Sequence, residues 1–242
     1  MVARRAAMEL RPGDVVNLGV GMASGIPAVV QEQGLQGPFH FSTEHGGLGG
    51  MPAIGSPKKT GAFGAHYNAD CILDSVEVFD FYHGGGLNVA GLGFAQVRGD
   101  GSVNVGEFQG NLRGPGGFVD ISHLARKVLF CGELTAGKSE IHVKPDTPAG
   151  LRIVRDGRHK KFLNRIDQVN FHGPSAIAKG QTVLYITERA VFRLTAAGLE
   201  LIEIAPSVDI DAVKSAVEFE FTVSQRLCRM DEALFRDESR QP

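Results

Sequence analysis

Short apolar runs that end in glycine clusters dominate the first half of this chain, and they restrict it to folds that bring backbone close to other groups. It has 32 glycines and no tryptophan in 242 residues, and the glycines crowd between positions 13 and 117. The stretch Val-Val-Asn-Leu-Gly-Val at 15–20 reads as a buried strand. The loop 21–25 follows, then an apolar segment at 26–33 with Pro27 in its first helical turn, where a missing N–H is tolerated. A further strand at 39–43 completes a strand–loop–helix–strand unit, which favours a parallel pair with a right-handed crossover.

The rest of the pattern extends this class. Residues 1–10 suggest a short helix, and 46–68 a long glycine-rich loop of the kind that tends to be functional. Alternation at 76–82 reads as a strand that runs into Gly84, Gly85 and Gly86, then an apolar segment at 87–97. Arg98-Gly-Asp-Gly101 supplies a hairpin turn before 102–106. A glycine cluster at 114–117 precedes an apolar stretch at 118–125, and core strands are expected at 127–132 and 182–187. Segments 153–158 and 191–204 resemble antiparallel hairpins, and 209–217 a helix capped by Asp209. The expected fold is α/β: an open, mostly parallel sheet flanked by helices, with antiparallel hairpins added in the C-terminal third. No repeat or linker divides the chain, so one domain over 1–242 is expected.

Composition narrows the function. With 25 Lys and Arg against 27 Asp and Glu, there is no basic footprint for nucleic acid or an anionic membrane. No apolar run approaches the roughly 20 residues that a membrane span needs. The amino terminus lacks a signal-peptide core. Cys71, Cys131 and Cys228 are odd in number and far apart, which suggests reduced cytoplasmic thiols, mostly buried, and no zinc site.

Four constellations compete for the chemistry. Gly19, Gly21 and Gly25 between strand and helix approximate a dinucleotide loop, with Glu44 about where a ribose-binding acid would fall; Ser24 breaks the GxGxxG spacing. The histidines at 40, 45, 66, 83, 123, 142, 159 and 172 lack HxH or HExxH spacing for a metal. Neither Ser24 nor Ser42 sits in the G-x-S-x-G of a hydrolase elbow. Glu44 closes the 39–43 strand and opens a run with glycine at 46, 47, 49 and 50. A carboxylate is a weak nucleophile that suits an already activated electrophile such as a thioester, anhydride or phosphate. It would need backbone N–H donors for the oxyanion, which glycine loops at 19–25, 84–86 and 114–117 are suited to supply. This last reading uses most of the unusual composition.

Several long strings then match one family. They are Asn-Leu-Gly-Val-Gly at 17–21, Ser-Thr-Glu-His-Gly-Gly at 42–47, Phe-Asp-Phe-Tyr-His-Gly-Gly-Gly-Leu at 79–87 and Leu-Gly-Phe-Ala-Gln-Val at 92–97. Others are Gly-Pro-Gly-Gly-Phe-Val-Asp-Ile-Ser at 114–122, Phe-Cys-Gly-Glu-Leu-Thr-Ala-Gly at 130–137, Tyr-Ile-Thr-Glu-Arg-Ala-Val-Phe-Arg-Leu at 185–194 and Glu-Ile-Ala-Pro at 203–206. Over roughly residues 3 to 235 the chain resembles class I coenzyme A-transferases, specifically the β, or carboxyl-terminal, part of the acetate/propionate CoA-transferase type. The resemblance implies a ping-pong exchange in which Glu44 attacks an acyl-CoA and becomes a glutamyl-CoA thioester. It implies an oxyanion donor at Gly116 or Gly117 and CoA contacts at Gly19, Val20, Gly21, Met22 and Ala23. It implies CoA as a substrate, with no metal or tightly bound cofactor; the cysteine pattern is what points to the cytoplasm.

The chain differs from many family members in two ways. His45 stands after the glutamate where many β chains have asparagine, and no α-type half is found in these 242 residues. Either a separate α subunit completes the enzyme, in a hetero-oligomer, or the chain is a fragment or a remodelled relative; the α-subunit partner is the one expected. Two alternatives remain open at this level: a CoA-thioester or C–C hydrolase in which Glu44 activates water, and a non-catalytic CoA-binding partner subunit.

Overall fold

The computed structural model describes residues 1–34, 39–52, 66–108, 110–144 and 150–235. Among these, ten strands form one sheet: β1 (Val15–Leu18), β2 (His40–Ser42), β3 (Gly47–Leu48), β4 (Cys71–Ile72), β5 (Val89–Leu92), β6 (Lys127–Cys131), β7 (Thr182–Ile186), β8 (Ala190–Thr195), β9 (Gly198–Ile204) and β10 (Thr222–Arg229). Their order is β10-β9-β8-β7-β6-β5-β1-β2-β3-β4. The middle, β2-β1-β5-β6-β7, is parallel throughout. Parallel strands buried on both faces need apolar side chains in near-continuous runs, and Val128, Leu129, Phe130 and Cys131 of β6 are all buried. The hairpin β8–β9 adds antiparallel pairing on one side, as expected for 191–204. On the other side β3 and β4 pair antiparallel beyond β2.

Helices cover the faces: α1 (Val2–Ala7), α2 (Ile26–Glu32), α3 (Ser75–Phe81), α4 (Phe118–Leu124), α5 (Gly173–Ala178) and α6 (Ile210–Ala216). Pro27 sits in the first turn of α2, and the Asp209 side chain caps α6 by accepting from the Ala212 N–H. The core is rich in aromatic contacts. Phe130 stacks on Tyr185 at 5.3 Å and meets Phe171 edge-on at 5.1 Å, and each such buried ring contributes on the order of 2 kcal/mol.

Four expectations are corrected. Residues 76–82 do not form a strand: Ser75–Phe81 is helix α3 and Tyr82–Gly86 a wider π-type turn. Asp74 and Glu77 form a reciprocal capping box that starts the helix, and Val78 and Tyr82, four apart, both turn inward. Segment 153–158 is not a hairpin by itself: Gly150–Arg155 is a single strand, paired antiparallel with the preceding Glu140–Lys144. The described part of 46–68 is not a bare loop, since Gly47–Leu48 belongs to the sheet and Met51–Pro52 pairs with His66–Tyr67; positions 53–65 lie outside the described residues. Finally, the thiols are not mostly buried. Cys131 is inside, its thiol pushed up to about 12 by burial, whereas Cys71 and Cys228 are exposed on the two outermost strands of the sheet. Among the described residues no helix is long and apolar enough to cross a membrane.

Candidate active site

Glu44 follows β2 at the carboxyl end of the parallel strands, the edge where open α/β sheets form their ligand crevices. Its backbone is held closely. It is the second residue of a β-turn in which the Gly46 N–H donates to Thr43 O at 3.1 Å, framed by Thr43 N–H to Gly47 O at 3.0 Å. The Ser75 hydroxyl, at the start of α3, donates to Glu44 O at 2.9 Å. Gly46 accepts the Leu73 N–H at 3.0 Å and has φ 111°, a conformation that side-chain-bearing residues rarely adopt. A Cβ there would also run into the Leu73 carbonyl. The turn sequence thus specifies where the glutamate stands.

The half-buried Glu44 side chain reaches across to the second glycine cluster. A Cβ on Gly117 would collide with Glu44 Oε2 and lie 2.9 Å from Phe79 Cζ. Gly117 is the residue that opens α4, so the carboxylate lies beside the first turn of that helix. Gly116 is exposed, has φ 55°, and leaves open space where its Cβ would be. Of the two proposed oxyanion donors, the structure brings Gly117 against Glu44.

The 19–25 loop follows β1, the parallel neighbour of β2, so it opens on the same edge of the sheet. Its five candidate residues divide by environment. Gly19 is a packing residue: its N–H donates to Gly91 O at 2.8 Å and a Cβ would press on Leu92 Cδ2 at 3.1 Å. Ala23 is fully buried, with its methyl in the core. Val20 and Met22 are exposed, at 56% and 38%, and Gly21 between them has φ 114°. Val20, Gly21 and Met22 therefore present the surface, with Gly19 and Ala23 beneath it.

Several groups at the site escaped the sequence reading. Tyr82 is fully buried beneath Glu44's strand, and its hydroxyl accepts from Asn17 Nδ2 at 2.9 Å and shares a hydrogen bond with Ser42 Oγ at 2.8 Å. Burial pushes the phenol above its ordinary pKa, the hydrogen bonds it makes with Ser42 and Asn17 oppose that, and the Glu44 charge adds to it. Phe79 packs edge-on against Tyr82 at 5.9 Å. The capping box at Asp74 and Glu77 was the available signal, because a helix starting there turns Val78 and Tyr82 inward together.

The competing constellations are not assembled. His66 Nδ1 bonds Gly49 O at 2.9 Å, His83 Nε2 lies 3.3 Å from Asp120, and His45 is exposed. Among the described residues no group of three or more His, Cys, Asp or Glu side chains could hold a metal ion. Ser24 spends its hydroxyl on Gly21 O at 2.6 Å, and Ser42 is buried against Tyr82.

No protein-family model matches the chain. Among curated proteins it is 46% identical to the Escherichia coli K12 acetate CoA-transferase YdiF, over 98% of this chain and 43% of that protein. It is 41% identical to the caffeate CoA-transferase of Acetobacterium woodii, over 98% of this chain and 45% of that one. The chain thus spans less than half the length of these relatives. Against the beta subunit of an acetate CoA-transferase from E. coli K12, identity is 29% over 93% of this chain and 94% of that one. Among solved structures, the E. coli O157:H7 acyl-CoA transferase (YdiF) in a thioester complex with CoA superposes with a TM-score of 0.88 at 44% identity, covering 98% of this chain and 43% of that one. The sequence and structure matches each extend over 98% of this chain, and the chain belongs to the CoA-transferase family.

Proposed function

We propose that this chain is the β-type part of a CoA-transferase that moves CoA between a short-chain acyl-CoA and a carboxylic acid, with Glu44 as the covalent carrier. The observation that carries the reading is the Glu44 carboxylate seated against Gly117 at the amino end of α4. Glu44 attacks the thioester carbonyl of the donor and expels CoA thiolate, leaving a mixed anhydride. The thiolate then attacks the γ-carbonyl of Glu44, releases the donor acid and forms a glutamyl-CoA thioester. An acceptor carboxylate reverses both steps. Each tetrahedral intermediate carries an oxyanion, for which the N–H of Gly117 or Gly116 is the proposed donor. The exposed Val20–Met22 surface offers apolar contact to CoA, with Gly19 and Ala23 shaping the backbone beneath.

The reading includes one domain over 1–242, CoA as a substrate without a tightly bound cofactor, and action in the cytoplasm. It also includes an α-type part that completes the site. Two comparisons support that division: the chain covers 43% of the longer YdiF and 94% of a protein named as a beta subunit.

The test combines this chain with its α-type part, acetyl-CoA and a second carboxylate. Borohydride or hydroxylamine trapping should mark Glu44, and Glu44→Gln, which keeps the shape but removes the anionic oxygen, should abolish both adduct and turnover. Label on another residue, or wild-type turnover by Glu44→Gln, overturns the assignment. Glu44→Asp withdraws the oxygen by over ~1 Å and should cost about 10²-fold in rate.

A further inference from the structure

Below Glu44 the carboxyl ends of β1 and β2 are joined to the α3 turn by three polar side chains that the exchange chemistry does not itself require. Asn17 on β1 is 2% exposed, Ser42 on β2 is 1% and Tyr82 is 0%. Asn17 Nδ2 donates to the Tyr82 hydroxyl at 2.9 Å and lies 3.5 Å from Ser42 O. Tyr82 and Ser42 hydroxyls share one hydrogen bond at 2.8 Å.

Ser42 stands two residues before Glu44, and the Glu44 charge acts on the Tyr82 phenol. The same aromatic column touches the site by a second route. Phe79 packs on Tyr82 and also faces the Gly117 position that Glu44 Oε2 abuts. A tyrosine serving only the core needs burial alone; this one is tied to both strands that carry the site and, through Phe79, to the glycine facing the carboxylate.

We propose that Tyr82 is a positioning residue for Glu44: with Asn17 and Ser42 it ties together the two strands that carry the site and, through Phe79, sets the depth at which that carboxylate meets Gly117. The inference rests on the transferase reading and extends it to three residues that never touch substrate. The phenol makes no covalent bond and loses no proton.

The experiment uses the assembled enzyme, this chain with its α-type part, and acetyl-CoA. Rapid-quench borohydride trapping measures how fast Glu44 is converted to its CoA adduct, and steady-state kinetics give kcat and KM. Tyr82→Phe keeps the ring but removes the hydroxyl; it should slow adduct formation and kcat on the order of 10-fold while KM for acetyl-CoA stays within about two-fold. Ser42→Ala should slow the same step in the same sense, and it serves if Tyr82→Phe does not fold. Adduct formation at the wild-type rate in a folded variant overturns the inference, as does a parallel fall of kcat and folded fraction with no change per folded molecule. Absence of any Glu44 adduct in the wild-type enzyme overturns the transferase reading instead, so the two failures are distinguishable.

Discussion

The Glu44 carboxylate occupies the space that a Cβ on Gly117 would fill. Two segments 73 positions apart in the chain therefore meet at one atom, and the second must be glycine for the first to lie as it does. Gly117 has φ −71° and ψ −3°, a backbone conformation that alanine adopts without strain. What alanine would displace is the flexible end of Glu44 and the rim of the Phe79 ring.

Gly117→Ala is accordingly expected to separate stability from activity. Replacing glycine by alanine at a helix cap changes stability by less than about 1 kcal/mol, so the melting temperature should stay within roughly 4 °C. The carboxylate, pushed aside by about 1 Å, should lose on the order of 10²-fold in kcat. Thermal unfolding and steady-state kinetics on the assembled enzyme check both. Unchanged kcat would mean that the contact has no part in the reaction.

Gly46→Ala should do the opposite and damage the fold locally. At φ 111° any side chain is strained, and the atom in its way is the Leu73 backbone carbonyl, which cannot swing aside. Such strain costs about 1–3 kcal/mol, or roughly 2–12 °C in melting temperature for a chain of this size. Activity should fall with it, because this turn carries Glu44. A variant that melts with the wild type would show that the turn relaxes at no cost.

Lys161 gives a pH-dependent prediction away from Glu44. It is 9% exposed, with its Nζ 3.8 Å from the centre of the Phe94 ring. Burial lowers its pKa from 10.5 to about 8, and the charges of Glu188 and Glu133 oppose that shift without reversing it. Between pH 8 and 10.5 the unfolded chain holds this proton and the folded chain does not, so this group makes stability rise with pH across that window. At pH 7 the same shift is a penalty of roughly 3 kcal/mol on keeping the ammonium inside. Lys161→Met, which fills similar volume without the charge, should be at least as stable as the wild type at pH 7. Its advantage should shrink steadily from pH 8 to pH 10.5 in denaturant titrations. A constant difference over that range would show that Lys161 does not titrate there in the folded state.

Element identity was legible wherever local chemistry and burial agree. The apolar runs of β1, β6 and β7, Pro27 opening α2 and Asp209 capping α6 were all readable, since each signal concerns residues within a few positions of one another. At 76–82 two periodicities overlapped. Alternation suggested a strand, whereas the Asp74–Glu77 box and the inward pair Val78 and Tyr82 made a helix, because capping satisfies the first N–H groups and places one face on the core.

The chain's own order of residues determined its α/β class, its resemblance to the CoA-transferases and the candidacy of Glu44, since strand, loop and motif are properties of neighbours in sequence. Only tertiary structure could set Gly117 against that carboxylate. Only tertiary structure could divide the 19–23 loop into exposed Val20, Gly21 and Met22 and the packed Gly19 and Ala23. It also brought Asn17, Ser42 and Tyr82 into one hydrogen-bonded cluster. The physical reason is the same in each case: these relationships join segments tens of residues apart, and their geometry is set by how strands and helices pack, which no local spacing encodes.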